Sequence, residues 1–212
     1  MSDSLITALT QIWAYQQRRP AIVRTGIQAL QRLIPIALNR TATSKTIGRF
    51  LLGLYDGAAF RFDLKHLHHL SVREFEDCLY VLQMDYMPEV EVHDRVAEGE
   101  NVWRELMDIW RTQPLEFVCR QPASPHAPDE LCAQHRGAVD VLGTQAFDRL
   151  LQVAEGSTGQ SRIVGVFLMS LIHDSQYRFN LTDLRGLDIK LFEDCISVLR
   201  MDYFTDTKAG KP

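Results

Sequence analysis

Apolar residues recur along this chain at helical spacing, and the same series of them occurs twice. Ile47, Phe50, Leu51 and Leu54 fall at i, i+3, i+4 and i+7, as do Val164, Phe167, Leu168 and Leu171. That spacing puts each set on one face of a helix. A later helix in each series carries Phe75, Cys78, Leu79 and Leu82, matched by Phe192, Cys195, Ile196 and Leu199. Ser71 and Glu74 form a capping-box pattern ahead of the first of these, and Asp188 is the corresponding cap of the second. Each series opens with a helix, near Gly26–Leu38 and near Thr144–Glu155. Pro35 is expected to kink or shorten the first. Gly156 is expected to close the second in the left-handed conformation.

Laid on each other, Gly26–Tyr86 and Gly143–Tyr203 align without a gap. About 26 of the roughly 61 paired positions are identical, which marks an internal duplication. Between the second and third helices lie Phe60-Arg61-Phe62-Asp63-Leu64 and Tyr177-Arg178-Phe179-Asn180-Leu181. Their alternation suits a brief strand, and the two copies can pair across a pseudo-two-fold axis. Ahead of the first copy, Leu5–Gln17 reads as a helix that Pro20 ends or offsets. After it, Trp103, Leu106, Met107 and Trp110 mark a fourth helix that the second copy lacks. Pro114–Pro128 reads as a linker, with a partly helical stretch from Asp129 to Asp140. The expected fold is mainly α: two tandem helical lobes related by a pseudo-two-fold, with a short hairpin or strand pair. The lobes are residues 1–112 and 141–212, joined by a linker over 113–140.

The chain has 212 residues, so each lobe falls near the lower limit of an independent core. The lobes are therefore expected to share an interface. The net charge of −4 argues against a dedicated duplex-DNA or anionic-membrane binder. No apolar run approaches the ~18–20 residues that span a bilayer. The Met1-Ser2-Asp3-Ser4 start has no basic and apolar leader pattern. Cys78 and Cys195 are repeat equivalents on apolar faces, the usage of a reducing compartment. The expected location is cytoplasmic.

The tract Thr158-Gly159-Gln160-Ser161, the pair Phe167-Leu168, and the runs Phe179–Asp188 and Leu191–Cys195 resemble a bacterial domain family of unassigned activity. That family is found on plasmids and integrative elements. Glu91-Val92-His93 and the Trp103–Trp110 helix are similar to the continuation of its single-domain members. Each copy here departs from the pattern. The first has Thr41-Ala42-Thr43-Ser44 and His68-His69 at two of the motifs, and the second lacks the tryptophan helix. The resemblance implies a setting, accessory cargo of mobile DNA, and no chemistry.

Several residue groups are candidates for chemistry. Cys119, His126, Cys132 and His135 have the ligand types of a closed zinc site, with a spacing that matches no common finger. The expectation is no cofactor, the set being incidental to a flexible connector, with zinc as the alternative these residues allow. His66, His68 and His69 precede a helix cap, but their counterparts Asp183, Arg185 and Gly186 do not keep the set. Glu76-Asp77 and Glu193-Asp194 could hold a divalent cation or act as an acid–base pair. As neighbours on a helix they diverge by about 100°, which favours a structural role. Arg61 and Arg178 are the expected partners of these carboxylates. Cys78 and Cys195 have no activating base at a repeated offset. Arg18, Arg19, Arg24, Lys45 and Arg49 could touch phosphate, without forming a basic stripe.

The expectation that follows is a non-enzymatic protein-binding factor that acts against a host complex such as a defence system. Two others stand beside it, a DNA-binding regulator and a cation-dependent hydrolase or nuclease.

Overall fold

The computed structural model describes residues 2–111, 130–172 and 177–209. It is mainly helical, and among the described residues no strand forms. The α-helices are α1 (Ser2–Ala37), α2 (Ala42–Tyr55), α3 (Val72–Asp85), α4 (Gly99–Trp110), α5 (Glu130–Ala154), α6 (Gly159–Ile172) and α7 (Ile189–Ala209). Lobe one is built on α1 to α4, lobe two on α5 to α7. In lobe one α1 packs along α3 and against α2, and in lobe two α5 packs along α7 and against α6.

The close helix pairs depend on one small residue each. A Cβ on Gly26 of α1 would collide with the Met84 side chain of α3, and one on Gly143 of α5 with Met201 of α7. The first-met atom is the methionine Cβ in both cases, so no side-chain rotation relieves the clash.

Helix starts follow the expected caps. Ser71 and Glu74 form a complete capping box, and Asp188 Oδ1 accepts from the Leu191 amide at 2.9 Å. Thr41 and Thr158 accept from the amides of Ser44 and Ser161, both at 3.1 Å.

Four expectations are corrected. Pro20 does not end the first helix, because α1 runs through both Pro20 and Pro35. Gln16, whose carbonyl loses its amide partner, and Pro20 are both exposed residues. The residues before it are tied down elsewhere: Arg19 donates to the carbonyls of Met84 at 2.9 Å and Met87 at 3.0 Å. Those contacts hold the axis where proline propensity alone would break it. The strand pair shrinks to one antiparallel bridge, in which Phe62 and Phe179 exchange amide-to-carbonyl bonds of 2.8 Å each. It stops there because Asp63 and Asn180 cap 3-10 turns, Leu64–His69 and Leu181–Gly186, that begin at the next residue. Gly156 follows α5, but no described glycine has a positive φ. Residues 130–140 of the expected linker belong to α5, and 112–129 lie outside the described residues.

The lobes meet on a pseudo-dyad through paired aromatics. Tyr86 stacks on Phe192 with ring centroids 4.0 Å apart, and Tyr203 stacks on Phe75 at the same 4.0 Å. The Tyr86 hydroxyl donates to the Leu187 carbonyl at 2.9 Å, and the Tyr203 hydroxyl to that of Leu70 at 2.8 Å. All these side chains belong to one continuous core running through both lobes.

Gly26→Ala and Gly143→Ala are each expected to destabilise the chain by about 1–3 kcal/mol through overpacking. A helix-interior glycine replaced by alanine normally gains about 1 kcal/mol, so the sign is diagnostic. Urea unfolding of the two variants measures it, and near-equal losses are expected from the equivalent packing.

Candidate functional site

Cys78 and Cys195 are not placed to act as nucleophiles. Cys78 and Cys195 are buried, and burial pushes both thiols well up, away from the reactive thiolate. Of the expected zinc set, Cys119 and His126 lie outside the described residues, as do the side chains of Cys132 and His135. The histidine cluster is spread over separate contacts. His68 Nε2 lies 2.9 Å from Asp202 Oδ2, and His66 Nε2 lies 3.9 Å from Asp63 Oδ2. Among the described residues no group of three His, Cys, Asp or Glu side chains is arranged to hold a metal.

The paired carboxylates are engaged by arginines other than the expected ones. Arg32 donates to both oxygens of Asp77 at 2.9 and 2.6 Å, and its counterpart Arg149 does the same to Asp194 at 2.9 and 2.7 Å. These are bidentate pairs within a lobe, from the first helix of each repeat to the last. Lys190 adds a third donor to Asp194 at 2.7 Å. Burial works against the Asp194 carboxylate, but the Arg149 and Lys190 donors outweigh it and hold its pKa below the ordinary 3.8.

Glu76 and Glu193 reach across the lobes. Arg200 holds Glu76 at 3.1 and 2.9 Å, and Arg18 of α1 holds Glu193 at 2.9 Å. The first-copy counterpart of Arg200 is Gln83, so Glu193 takes its cation from the N-terminal helix instead. A second cross-lobe pair joins Arg185 to Asp85 at 2.9 and 2.7 Å, and its mirror is His68 with Asp202. Burial still raises the Asp85 carboxyl, ahead of the opposing pull of Arg185. Arg61 and Arg178 are exposed. Arg61 acts electrostatically on Asp183, and Arg178 on Arg49 and His66. The expected pairing of these two arginines with the four carboxylates is thus replaced by Arg32, Arg149, Arg200 and Arg18. The four carboxylates serve as structural ion pairs and not as an open acidic pair.

The largest departure from internal symmetry lies on the outer faces of α2 and α6. In lobe one, α4 lies on α2. Trp110 packs against Gly48, where any Cβ would strike the indole, and its Nε1 donates to the Ala37 carbonyl at 2.9 Å. Under this cover Ala37, Gly48 and Leu52 are fully buried. Lobe two has no helix in this place among the described residues. The corresponding residues, Ala154, Gly165 and Met169, are only half-buried, and nothing lies within 4 Å of a Cβ placed on Gly165. They line an open groove of about 480 Å³ together with Val166, Tyr177, the Gly156–Thr158 turn and Ser161 and Arg162 of α6. Val166 stands where lobe one has Arg49, which makes the floor more apolar. The sequence signal for this groove is the missing tryptophan helix of the second copy, which by itself names no surface.

Arg32→Met would leave the nearly buried Asp77 without its bidentate donor, and a loss of about 2–3 kcal/mol is expected. Arg149→Met should cost less, because Lys190 still meets Asp194. The Asp194 contribution has a defined sign with pH. Its folded pKa lies below the unfolded value of about 3.9, so its stabilisation is present above that value. It is lost as pH falls through the folded pKa. Denaturation of wild type and both variants between pH 7 and pH 3 checks the order and the trend.

Comparison with known proteins adds no activity. No curated protein matches the chain, and no solved structure does. Among the described residues no helix is long and apolar enough to cross a membrane. One family's sequence model covers most of the chain, in two segments, residues 27–111 and 144–209. These segments coincide with lobe one up to the end of α4 and with lobe two from within α5, and the chain belongs to the Family of unknown function (DUF7673).

Proposed function

We propose that this chain is a non-catalytic protein-binding factor, and that the groove of lobe two is its binding surface. One asymmetry carries the reading. The same face is built twice, and in lobe one it is filled by an amphipathic helix that inserts a tryptophan beside a glycine. The groove of lobe two keeps the glycine and the alanine that faces the indole N–H, and the open space beside Gly165 leaves room for a side chain such as the indole. Its expected ligand is a helix with apolar anchors at i, i+3 and i+7, the last an indole.

The burial of Cys78 and Cys195 and the arginine pairing of Glu76, Asp77, Glu193 and Asp194 leave these residues little to offer an enzyme reading. A DNA-binding role has one observation in its favour. Exposed Arg61 and Arg178 flank the Phe62–Phe179 bridge on either side of the pseudo-dyad. The overall charge of −4 opposes it. The resemblance to plasmid and integrative-element domains adds a setting to the proposal. The two matched segments are read as tandem copies, working in the cytoplasm, with a host complex such as a defence system as the biological target.

A stapled peptide carrying the Gly99–Trp110 sequence tests the groove directly, since an isolated helix this short is marginal in water. One equivalent is expected to bind the full chain and to shift the amide signals of Gly165, Val166 and Met169. Gly165→Trp fills the groove and should abolish the effect, and a peptide with alanine at the Trp110 position should bind at least tenfold more weakly. A peptide that leaves those signals unmoved overturns the reading. Salt-dependent binding of a duplex lost in an Arg61→Ala, Arg178→Ala double variant would replace it with the DNA-binding one.

A further inference from the structure

We infer that the helix which fills the lobe-two groove comes from a second copy of this chain, as the amino-terminal turns of α1. The inference rests on the groove reading above and names its occupant.

The first observation is an uncovered apolar stripe. Ile6, Leu9 and Trp13 are 61%, 56% and 66% exposed, and Ile12 beside them is 45% exposed. Among the described side chains, the contacts that fasten α1 to the rest of the protein begin at Tyr15. The Tyr15 ring meets Tyr86 edge-on and its hydroxyl donates to the Tyr86 carbonyl at 3.4 Å. Arg18 and Arg19 follow with Glu193 and the carbonyls of Met84 and Met87. The turns before Tyr15 therefore carry large apolar side chains without burying them. An apolar cluster of this kind on a surface marks an interaction site.

The second observation is a match of spacing. The buried anchors of α4 are Trp103, Leu106 and Trp110. The exposed stripe of α1 is Ile6, Leu9 and Trp13, with the same intervals and with tryptophan again at the last position. Ile12 corresponds to Ile109, one residue before that tryptophan. The stripe repeats the pattern of the helix that fills the equivalent groove of lobe one. Docked in the same way, Trp13 would lie beside Gly165 and direct its indole N–H at the Ala154 carbonyl. Trp110 does the same beside Gly48 with Ala37.

The third observation excludes the same molecule as donor. α1 is a continuous helix anchored at Tyr15–Arg19, and in the chain as folded Trp13 is exposed while the groove is open. A second copy supplies the helix without unfolding either partner. Two copies that exchange their α1 ends form a closed dimer, and a one-way contact would propagate as a chain of subunits.

The experiment is analytical ultracentrifugation of the full chain across a micromolar range, with intrinsic fluorescence read in parallel. The protein has three tryptophans, and Trp103 and Trp110 are already buried, so a concentration-dependent blue shift reports Trp13. Wild type is expected to self-associate. Trp13→Glu is expected to weaken association at least tenfold with an unchanged melting temperature, since the side chain is exposed in the monomer. Gly165→Trp should do the same from the groove side. Mixed together, the two variants retain one intact helix and one intact groove and should form a one-to-one complex that neither forms alone.

A wild-type chain that stays monomeric to 100 μM, or association that Trp13→Glu leaves unchanged, overturns the inference. If the α4 peptide still binds the groove in either case, the binding-factor reading stands and only the self-partner falls. If the peptide also fails, both fall.

Discussion

The structure depends on the aromatic seam at the pseudo-dyad. Neither repeat is large enough to bury a comfortable core alone, since a domain of about 60 residues leaves a large share of its surface in water. The stacks of Tyr86 on Phe192 and Tyr203 on Phe75 turn two marginal cores into one. Each tyrosine also satisfies its hydroxyl on a carbonyl of the other lobe, so the seam carries no unpaired polar group there. Every one of these four aromatics is preserved between the copies, as are both glycines that let the first and last helix of each lobe approach. The Arg32–Asp77 and Arg149–Asp194 pairs then fix the helix register on either side. Groove, ion pairs and projecting helix are all positioned relative to this seam.

What the duplication preserved and what it changed divide along physical lines. Most preserved positions are buried or pair with buried groups, where a substitution in one lobe would be felt in the shared core, and Arg61 and Arg178 are exposed exceptions. The changed positions include the cations of the cross-lobe ion pairs and residues of the outer faces. Asp85 takes a guanidinium from Arg185, while its mirror Asp202 takes an imidazole from His68. Glu76 takes Arg200, while Glu193 takes Arg18 from an unrelated stretch of α1. The last case shows α1 already reaching from lobe one to lobe two, filling a role that a repeat-equivalent arginine would otherwise play.

Much of the fold was legible because it is written in local signals. The repeat, the apolar faces of α2, α3, α6 and α7, and the caps at Ser71 and Asp188 all depend on residues a few positions apart. Continuity of α1 through Pro20 was not legible, because it depends on Arg19 reaching carbonyls at Met84 and Met87. The arginine partners were misassigned for a similar reason. Arg61 and Arg178 attract notice as preserved charges near the carboxylates in sequence, but the helix pairing of each lobe presents Arg32 and Arg149 to the aspartates. The bridge at Phe62 and Phe179 was visible as a tendency, and the caps that end it after one residue were weaker signals. The linker thiols and imidazoles fall outside the described residues, so their chemistry is carried by composition alone.

The groove and the stripe are best understood together. Left bare, each is a liability: exposed apolar area lowers solubility and invites indiscriminate contact. In lobe one the cost is removed by α4, which covers the face in cis. Among the described residues lobe two has no such cover on the same face, and apolar residues that could supply it occur at the other end of the chain, with the spacing of α4. A helix covering its own lobe is always at saturating local concentration. A helix supplied by another molecule covers the face only when the concentration of chains exceeds the dissociation constant. Moving the cover from cis to trans thus converts a structural contact into a concentration-dependent one, while the seam that builds the face stays the same.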